Sequence, residues 1–226
     1  MRRIAAILLL VIVAVGISRS LVKIPFGAPK KKVATHYINE GVKETGSANI
    51  VTSVVVNYRG FDTLGEVTVL FIAAVGLGAV LTRSGGKETR PIEPASLILS
   101  TGCKVLFPLI LVFGSYIFIH GHLTPGGGFQ GGAIIASGFL LIYLGCRAGR
   151  ISPEASKVAE SSGGLVFILI GLLGLLFGGH FLSNFLPKGT VNTLFSAGII
   201  PIIYIAIGFK VGSELAGIID NLIEES

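Results

Sequence analysis

The sequence is poor in charged residues and in tryptophan and cysteine, and each shortage narrows the class of protein. Charged residues make up 13% of the chain and hydrophobic residues 51%, whereas a soluble domain carries about 25% charged residues. With no tryptophan and five tyrosines, the aromatic belt of many membrane proteins is thin. The two cysteines, Cys103 and Cys146, lie in apolar stretches, where we expect small buried side chains rather than a disulfide.

Patterns that would indicate nucleic-acid binding or catalysis are absent as well. The net charge is +6, but no basic stripe alternates with aromatic residues, so no nucleic-acid partner is expected. No nucleophile triad, P-loop, Rossmann fingerprint or iron–sulfur cysteine framework is present. We therefore expect a non-catalytic chain without a cofactor or metal of its own, whose redox chemistry, if any, lies on other chains.

Long apolar runs are what the sequence has instead. A helix needs about 20 residues to cross about 30 Å of hydrocarbon, and strands of alternating polarity are absent. The sequence predicts an all-α, polytopic transmembrane helical protein of the cell membrane. About six segments qualify as spans: residues 4–22, 61–81, 97–119, 131–146, 163–182 and 191–209.

Loop composition predicts the orientation and a boundary. Segments 82–96 and 147–162 each hold three Lys or Arg residues, and segment 120–130 holds none. This places both termini and the basic loops in the cytoplasm. A break rich in glycine and proline falls at residues 82–94. We expect it to separate a two-span part, residues 1–90, from a four-span part, residues 91–226.

A short apolar run places a carboxylate at the membrane boundary. The uninterrupted run 67–81 covers about 21 Å, which is too little to cross the hydrocarbon, so the helix must extend back through Glu66 toward Asp62. These two residues are four apart and share a helix face. Glu66 is a candidate cation or proton relay; the alternative is a helix-end carboxylate stabilised by the helix dipole.

Three other charged residues and a proline interrupt apolar segments. Lys104 lies about 10 Å into its span. It is a candidate relay or a counter-charge to a carboxylate on another helix; the alternative is a long side chain that reaches back to the interface. Lys210 and Glu214 follow the last predicted span, and we interpret them as a local ion pair on an interfacial helix end. Pro201 lies inside that span and predicts a kink.

A polar, glycine-rich loop, residues 120–132, joins the third and fourth spans. Pro125 and the three glycines that follow it cannot continue a helix, and irregular backbone near a membrane is tolerated where it is buried in protein or lines water. The loop is either packed against partner subunits beside an ion path or an ordinary external hairpin. Its candidate contact residues are His120, His122, Thr124 and Gln130. Metal binding by His120, His122 and His180 is a weaker alternative, because His-x-His alone is a weak signal.

Two stretches resemble components of one transporter family. The sequence STGCKVLFP at residues 100–108, with GHLTPGGGFQGGA at residues 121–133, resembles the MnhB (MrpB) component of Mrp-type (Mnh-type) sodium/proton antiporters over residues 94–217. The sequence NYRGFDTLGE at residues 57–66 resembles the C-terminal end of the large MrpA-type component of the same complexes, over residues 50–81. Such an arrangement is similar to archaeal membrane-bound hydrogenases and ferredoxin-oxidising sulfur-reducing complexes, in which the large component is split.

The resemblance implies a non-catalytic membrane subunit of an Na+/H+ translocating module. Its partners would be other Mrp-type membrane subunits, the lipid bilayer, sodium ions and protons, and a redox arm with iron–sulfur clusters on other chains. Glu66 matches the family's acidic residue implicated in cation transport, and Asp62 and Lys104 would assist it. The alternatives are membership of a free-standing antiporter and a purely structural role in the membrane.

Overall fold

A computed structural model describes residues 2–23, 32–84, 95–146 and 153–224. Within these ranges the chain is helical and contains no β-strand. Five helices are long and apolar enough to cross a membrane, and a sixth has a shorter apolar part, so the prediction of an all-α, polytopic membrane protein is confirmed. The elements are α1 Arg2–Val22, α2 Lys32–Thr45, α3 Ile50–Thr52, a π-helical segment Ser53–Tyr58, α4 Gly60–Ser84, α5 Leu97–Ile119, α6 Gly128–Cys146, α7 Pro153–Gly178 and α8 Ile200–Glu224.

The chain divides into two compact units, Met1–His36 and Tyr37–Ser226. The first contains α1, whose large apolar side chains are exposed from Ile4 to Val22. A helix that is apolar on all sides faces lipid or another membrane subunit. The predicted division at residue 90 is a different boundary and stays a prediction.

Helix α8 is the centre of the second unit and packs against α4, α5, α6 and α7. Ile203, Ile207 and Val211 follow one another at a spacing of four residues and are buried, because residues four apart lie on one helix face. Phe167 of α7 is buried in the same cluster. The most enclosed part of the molecule is therefore a span surrounded by other spans.

Glycines let α5, α6 and α8 approach each other at backbone distance. A Cβ atom on Gly131 of α6 would lie 2.6 Å from the carbonyl oxygen of Gly114 in α5. A Cβ atom on Gly132 would lie 2.9 Å from the carbonyl oxygen of Gly208 in α8. Small residues at such contacts are how membrane helices pack tightly, so these glycines are needed for packing within the chain.

The last span lies further along the chain than the sequence predicts. It occupies Ile200–Glu224 instead of residues 191–209, and residues 179–199 form an irregular segment. Lys210 follows Ile200 by ten residues, about 15 Å along the helix, so the prediction of an interfacial helix end at Lys210 and Glu214 is wrong. Pro201 lies in the first turn of this span, where its missing N–H leaves no hydrogen bond unmade, so the kink predicted there has no cause.

Cys103 is disulfide-bonded, so the expectation of unlinked cysteines is wrong. Helices α5 and α6 are close at this point, since a Cβ atom on Gly145 would lie 2.7 Å from the Cys103 Sγ. The other cysteine, Cys146, follows Gly145 in the sequence, and its side chain lies outside the described part of the structure.

Candidate ion-translocation site and glycine-rich loop

The start of α4 presents the two predicted carboxylates. The Oδ2 of Asp62 accepts a hydrogen bond from Nε of Arg59 at 2.6 Å, so the Asp62 carboxylate already has a cationic partner. Glu66 lies one turn further along and is exposed, about 9 Å from the first residue of the helix. Its carboxylate has no hydrogen bond or ion pair with any residue that the structure describes. Because a bare charge facing lipid is costly, Glu66 needs water or a partner from another subunit.

Lys104 is exposed on α5 and likewise has no ion pair among the described side chains. Helix α4 packs against α8, and α5 packs against α6 and α8. No hydrogen bond or ion pair joins Glu66 to Lys104 within the described residues. The chain alone therefore brings Asp62 and Glu66 onto one helix but does not pair Lys104 with either carboxylate.

The glycine-rich loop is held by polar side chains that precede α4 in the sequence. The Nδ2 of Asn49 donates hydrogen bonds to the carbonyl oxygens of Gly121, at 2.9 Å, and Thr124, at 3.0 Å. The Oγ of Ser47 donates to the carbonyl oxygen of His122 at 2.8 Å, which also accepts the backbone N–H of Asn49. The loop is thus fastened to residues 47–49 through its backbone carbonyls.

A second set of hydrogen bonds connects this contact to α8. The Oγ1 of Thr52 donates to the carbonyl oxygen of Gly121 at 2.6 Å, and the hydroxyl of Tyr204 donates to the Oγ1 of Thr52 at 3.0 Å. Thr52 is buried, where unmade hydrogen bonds are expensive. Helix α3, the loop and α8 therefore form one polar contact.

The four predicted contact residues of the loop have different environments. The His120 ring stacks on Tyr116 with centroids 4.2 Å apart, and the Oγ1 of Thr124 donates to the carbonyl oxygen of His120 at 3.3 Å. His122 is buried, whereas Gln130 is exposed and lies in the first turn of α6, so the prediction of an irregular loop is wrong for residues 128–132. The loop's described contacts lie within the chain, and a role in binding partner subunits stays a prediction.

Burial sets the charge of His122. Neither ring nitrogen is hydrogen-bonded to a described residue, and burial lowers the pKa of the imidazole below its usual value. His122 is therefore expected to be neutral at pH 7 and to act as a packing side chain.

Replacing Asn49 with alanine is expected to loosen this contact. The change removes both donors to Gly121 and Thr124, and we expect it to lower the free energy of unfolding by about 1–3 kcal/mol. Thermal unfolding of the chain purified in detergent measures the loss. The control is Asn39→Ala, at an exposed position of α2, which should change stability by less than about 0.5 kcal/mol. Equal Tm values for the two variants would contradict the role of Asn49.

A buried charged cluster lies in the interior of the α7–α8 contact. The Nζ of Lys210 lies 3.2 Å from Oε2 of Glu214 and 3.8 Å from Oε1 of Glu160 in α7. The Phe71 ring of α4 covers the ammonium group, with its centroid 5.1 Å from Nζ. The Glu214 side chain is 1% exposed and the Glu160 side chain 21%. The predicted ion pair thus exists, but inside the span.

The sequence does not single out Glu160 as a member of this cluster. The apolar run suggests a span from residue 163, whereas α7 begins at Pro153 and its membrane-spanning part begins at Ser156. Glu160 therefore lies inside the span. A signal in the sequence could have identified it: Glu160 lies three residues before an apolar run. Glu66 is identified in the same way, by its position beside the run 67–81.

Two family models match the chain, one after the other. Residues 98–217 match a model described as a domain related to the MnhB subunit of Na+/H+ antiporters. Residues 1–93 match a model described as MbhE, the E component of MBH.

Curated relatives cover the chain to different extents. An uncharacterized protein of Methanocaldococcus jannaschii is 32% identical over 212 residues, which is 81% of this chain and 76% of the relative. A probable K+/H+ antiporter protein of Rhizobium meliloti, which combines the A and B components, is 29% identical over 136 residues, 50% of this chain but 14% of the relative. The putative antiporter subunit mnhB2 of Staphylococcus aureus is 34% identical over 92 residues, 39% of this chain and 65% of the relative.

Two solved structures share the fold. One is a chain of the membrane-bound sulfane sulfur reductase, an archaeal respiratory membrane complex, with a TM-score of 0.79, 46% identity and coverage of 98% of this chain and 97% of that chain. The other is a chain of the Mrp complex from Dietzia sp. DQ12-45-1b, with a TM-score of 0.78, 25% identity and coverage of 98% and 26%. Because the MnhB-related model matches more than half of the residues, this multi-pass membrane protein belongs to the family of domains related to the MnhB subunit of Na+/H+ antiporters.

Proposed function

We propose that the chain is a non-catalytic subunit of an Mrp-type Na+/H+ translocating module within an archaeal, ferredoxin-linked respiratory complex of the cell membrane. The observation that carries this proposal is that this chain and a chain of a respiratory complex align over almost their whole lengths. The chain and the sulfane sulfur reductase chain cover 98% and 97% of each other at 46% identity. By contrast, this chain spans 26% of the matching Mrp chain. Almost the whole of this chain therefore corresponds to one subunit of a respiratory complex.

The exposed apolar faces support assembly with other membrane subunits. Only 6% of the most apolar part of α4 is buried within the chain, and large side chains such as Val69, Ile72 and Val75 are exposed. Glu66 lies on this same poorly buried helix, and a carboxylate is more stable against a polar partner than against lipid. The neighbours would be other Mrp-type subunits, and a redox arm with iron–sulfur clusters would belong to other chains.

In this proposal Glu66 is the carboxylate of the cation path. Asp62 is paired with Arg59, which leaves Glu66 as the acidic residue at the start of α4 that is free to exchange Na+ or H+. Asp62 keeps a negative charge one turn away on the same helix. Lys104, on α5, would place a positive charge beside the path that repels a second cation. Its own counter-charge would come from another subunit.

Replacing Glu66 with glutamine in the complete complex tests this role. Glutamine keeps the shape of the side chain but cannot bind a proton or hold a charge, so Na+-dependent proton flux in proteoliposomes should fall by about tenfold or more while assembly stays normal. Glu154→Gln, at an exposed residue in the first turn of α7, is the control and should leave flux unchanged. Normal flux in a fully assembled Glu66→Gln complex would remove Glu66 from the path.

Membership of a free-standing antiporter is the second candidate, because the Mrp chain also covers 98% of this chain with a TM-score of 0.78. Purification of the complex from native membranes separates the two candidates. Iron–sulfur subunits that co-purify in stoichiometric amounts support the respiratory complex, and antiporter subunits alone support the free-standing exchanger.

A further inference from the structure

Glu160 and Glu214, the two carboxylates of the charged cluster, line a cavity of about 500 Å3 between α4, α7 and α8, and Lys210 lies behind them, in contact with both. Its α7 and α8 walls carry most of the polar groups, and its α4 wall is apolar. The lining includes Phe71, Val75, Ser156, Glu160, Glu214 and Asp220. A half-open space of this size, lined by apolar side chains and by several carboxylates and hydroxyls, has room for water, and charged residues of membrane helices commonly face such spaces.

One oxygen of Glu214 has no partner. Its Oε2 accepts a hydrogen bond from Lys210, but its Oε1 is buried and unpaired among the described residues. A buried carboxylate oxygen without a donor is destabilising. A proton on this carboxylate, or a water molecule from the cavity that donates to it, removes the deficit. Glu214 therefore has a vacant proton-accepting position beside a space that has room for water.

The charges favour a proton over a metal ion as the species that binds. Two carboxylates and one ammonium leave the cluster with a formal charge of −1. The Lys210 ammonium already lies between Glu160 and Glu214, 3.8 Å and 3.2 Å from their nearest oxygens. It thus occupies the position that a cation shared by both carboxylates would take, whereas a proton needs only one oxygen.

Two further titratable groups, on the same two helices, and aromatic side chains of α4 and α6 also face the cavity. Lys157 of α7 and Asp220 of α8 line the same space, so the cavity contains one further charge of each sign. Tyr143 of α6 also lines it. The Phe71 ring faces the Lys210 ammonium, and an aromatic face stabilises the protonated form of a lysine.

We propose that Glu160, Lys210 and Glu214 form a proton-transfer site of this chain, loaded from the cavity. A hydrated proton in the cavity protonates the partly exposed Glu160 and leaves a water molecule. The Lys210 ammonium passes a proton to Glu214, and the resulting amine then recovers a proton from Glu160. Each step breaks one O–H or N–H bond and forms another, so no redox partner is needed. The inference rests on the proposed function for its driving gradient, but it involves none of Glu66, Asp62 and Lys104.

Proton flux through the complete reconstituted complex tests the site. In Glu214→Gln and in Glu160→Gln, we expect Na+-dependent proton flux to fall by about tenfold or more with normal assembly, and Glu154→Gln to behave as wild type. Wild-type flux in both cluster variants would overturn the inference while leaving the proposed function intact. If the wild-type complex itself showed no Na+-dependent proton flux, the proposed function would be contradicted instead.

A second measurement needs no variant and therefore does not depend on folding. An apolar carbodiimide modifies carboxyl groups that carry a proton in a low-dielectric environment, and peptide mass spectrometry locates the product. In the wild-type complex we expect modification at Glu160 or Glu214, decreasing as the pH rises, with none at Glu154. Absence of modification at both cluster residues overturns the inference. Protection by Na+ at constant pH also overturns it, because the site would then bind sodium.

Discussion

Replacing Lys210 with methionine is expected to lower the free energy of unfolding by about 3–5 kcal/mol. The change leaves the Glu214 carboxylate, with a side chain that is 1% exposed, without its counter-charge. It also removes the ion pair to Glu160. Breaking a buried pair by removing one partner costs far more than the pair itself contributes, because the remaining charge stays in a low-dielectric environment. Thermal unfolding of the purified chain in detergent measures the effect.

Two further variants separate electrostatics from packing at Lys210. The double replacement Lys210→Met with Glu214→Leu removes both buried charges and should recover most of the lost stability, since Glu160 keeps access to the cavity. Lys43→Met is the surface control: Lys43 pairs with Glu40, but its side chain is 76% exposed, and such pairs contribute about 0–1 kcal/mol. If the double variant were as unstable as Lys210→Met, buried charge would not be the cause.

Replacing Gly132 with alanine is expected to lower the free energy of unfolding by about 1–3 kcal/mol. The added methyl group would meet the Gly208 carbonyl oxygen, the Gly212 nitrogen and the Val211 Cβ, each at 2.9 Å. Two of these atoms are helix backbone and cannot rotate away, so α6 and α8 must separate. The loss of contact should appear as a lower Tm and a smaller yield of folded chain.

The matched control for Gly132 is Gly76→Ala in α4. A Cβ atom at Gly76 has nothing within 4 Å, so the change should be neutral or slightly stabilising in the isolated chain, because alanine has the higher helix propensity. A similar loss in both variants would mean that glycine flexibility, and not close packing of α6 on α8, explains the effect.

The spans that the sequence locates well are bounded by local signals. Segment 97–119 coincides with α5, because the side chain of Ser96 caps its first turn and a polar stretch with a glycine, His120–His122, follows its last residue. The start of α4 follows from length alone, since an apolar run too short to cross has to extend back through Glu66, and the helix begins at Gly60.

Hydropathy misplaces the last span because its start depends on long-range contacts. Residues 191–199 are apolar enough to resemble a helix, but Asn184 binds the backbone of Ala197 and Ile199, and the N–H of Ala197 donates to the carbonyl oxygen of Lys188. These contacts hold an irregular loop. The shift moves Lys210 and Glu214 from a supposed helix end to the interior of a span, which is why hydropathy does not reveal the buried cluster.

The environment of the glycine-rich loop is also beyond the reach of the sequence. Its signature residues indicate a family and a polar segment, but one of the side chains that hold it, Asn49, lies 72 residues before Gly121. No spacing rule relates two positions so far apart. By contrast, the adjacency of Asp62 and Glu66 on one helix face follows directly from helical periodicity.

The hydrogen bonds from Ser47, Asn49 and Thr52 to the glycine-rich loop all end on backbone carbonyls. Recognition of this kind does not depend on which side chains the loop carries. The bonds also connect the segment matched by one family model, residues 1–93, to the segment matched by the other, residues 98–217. The two matched segments are therefore held together by non-covalent contacts as well as by the peptide chain, so a break in the chain between them, at residues 94–97, would leave this contact in place.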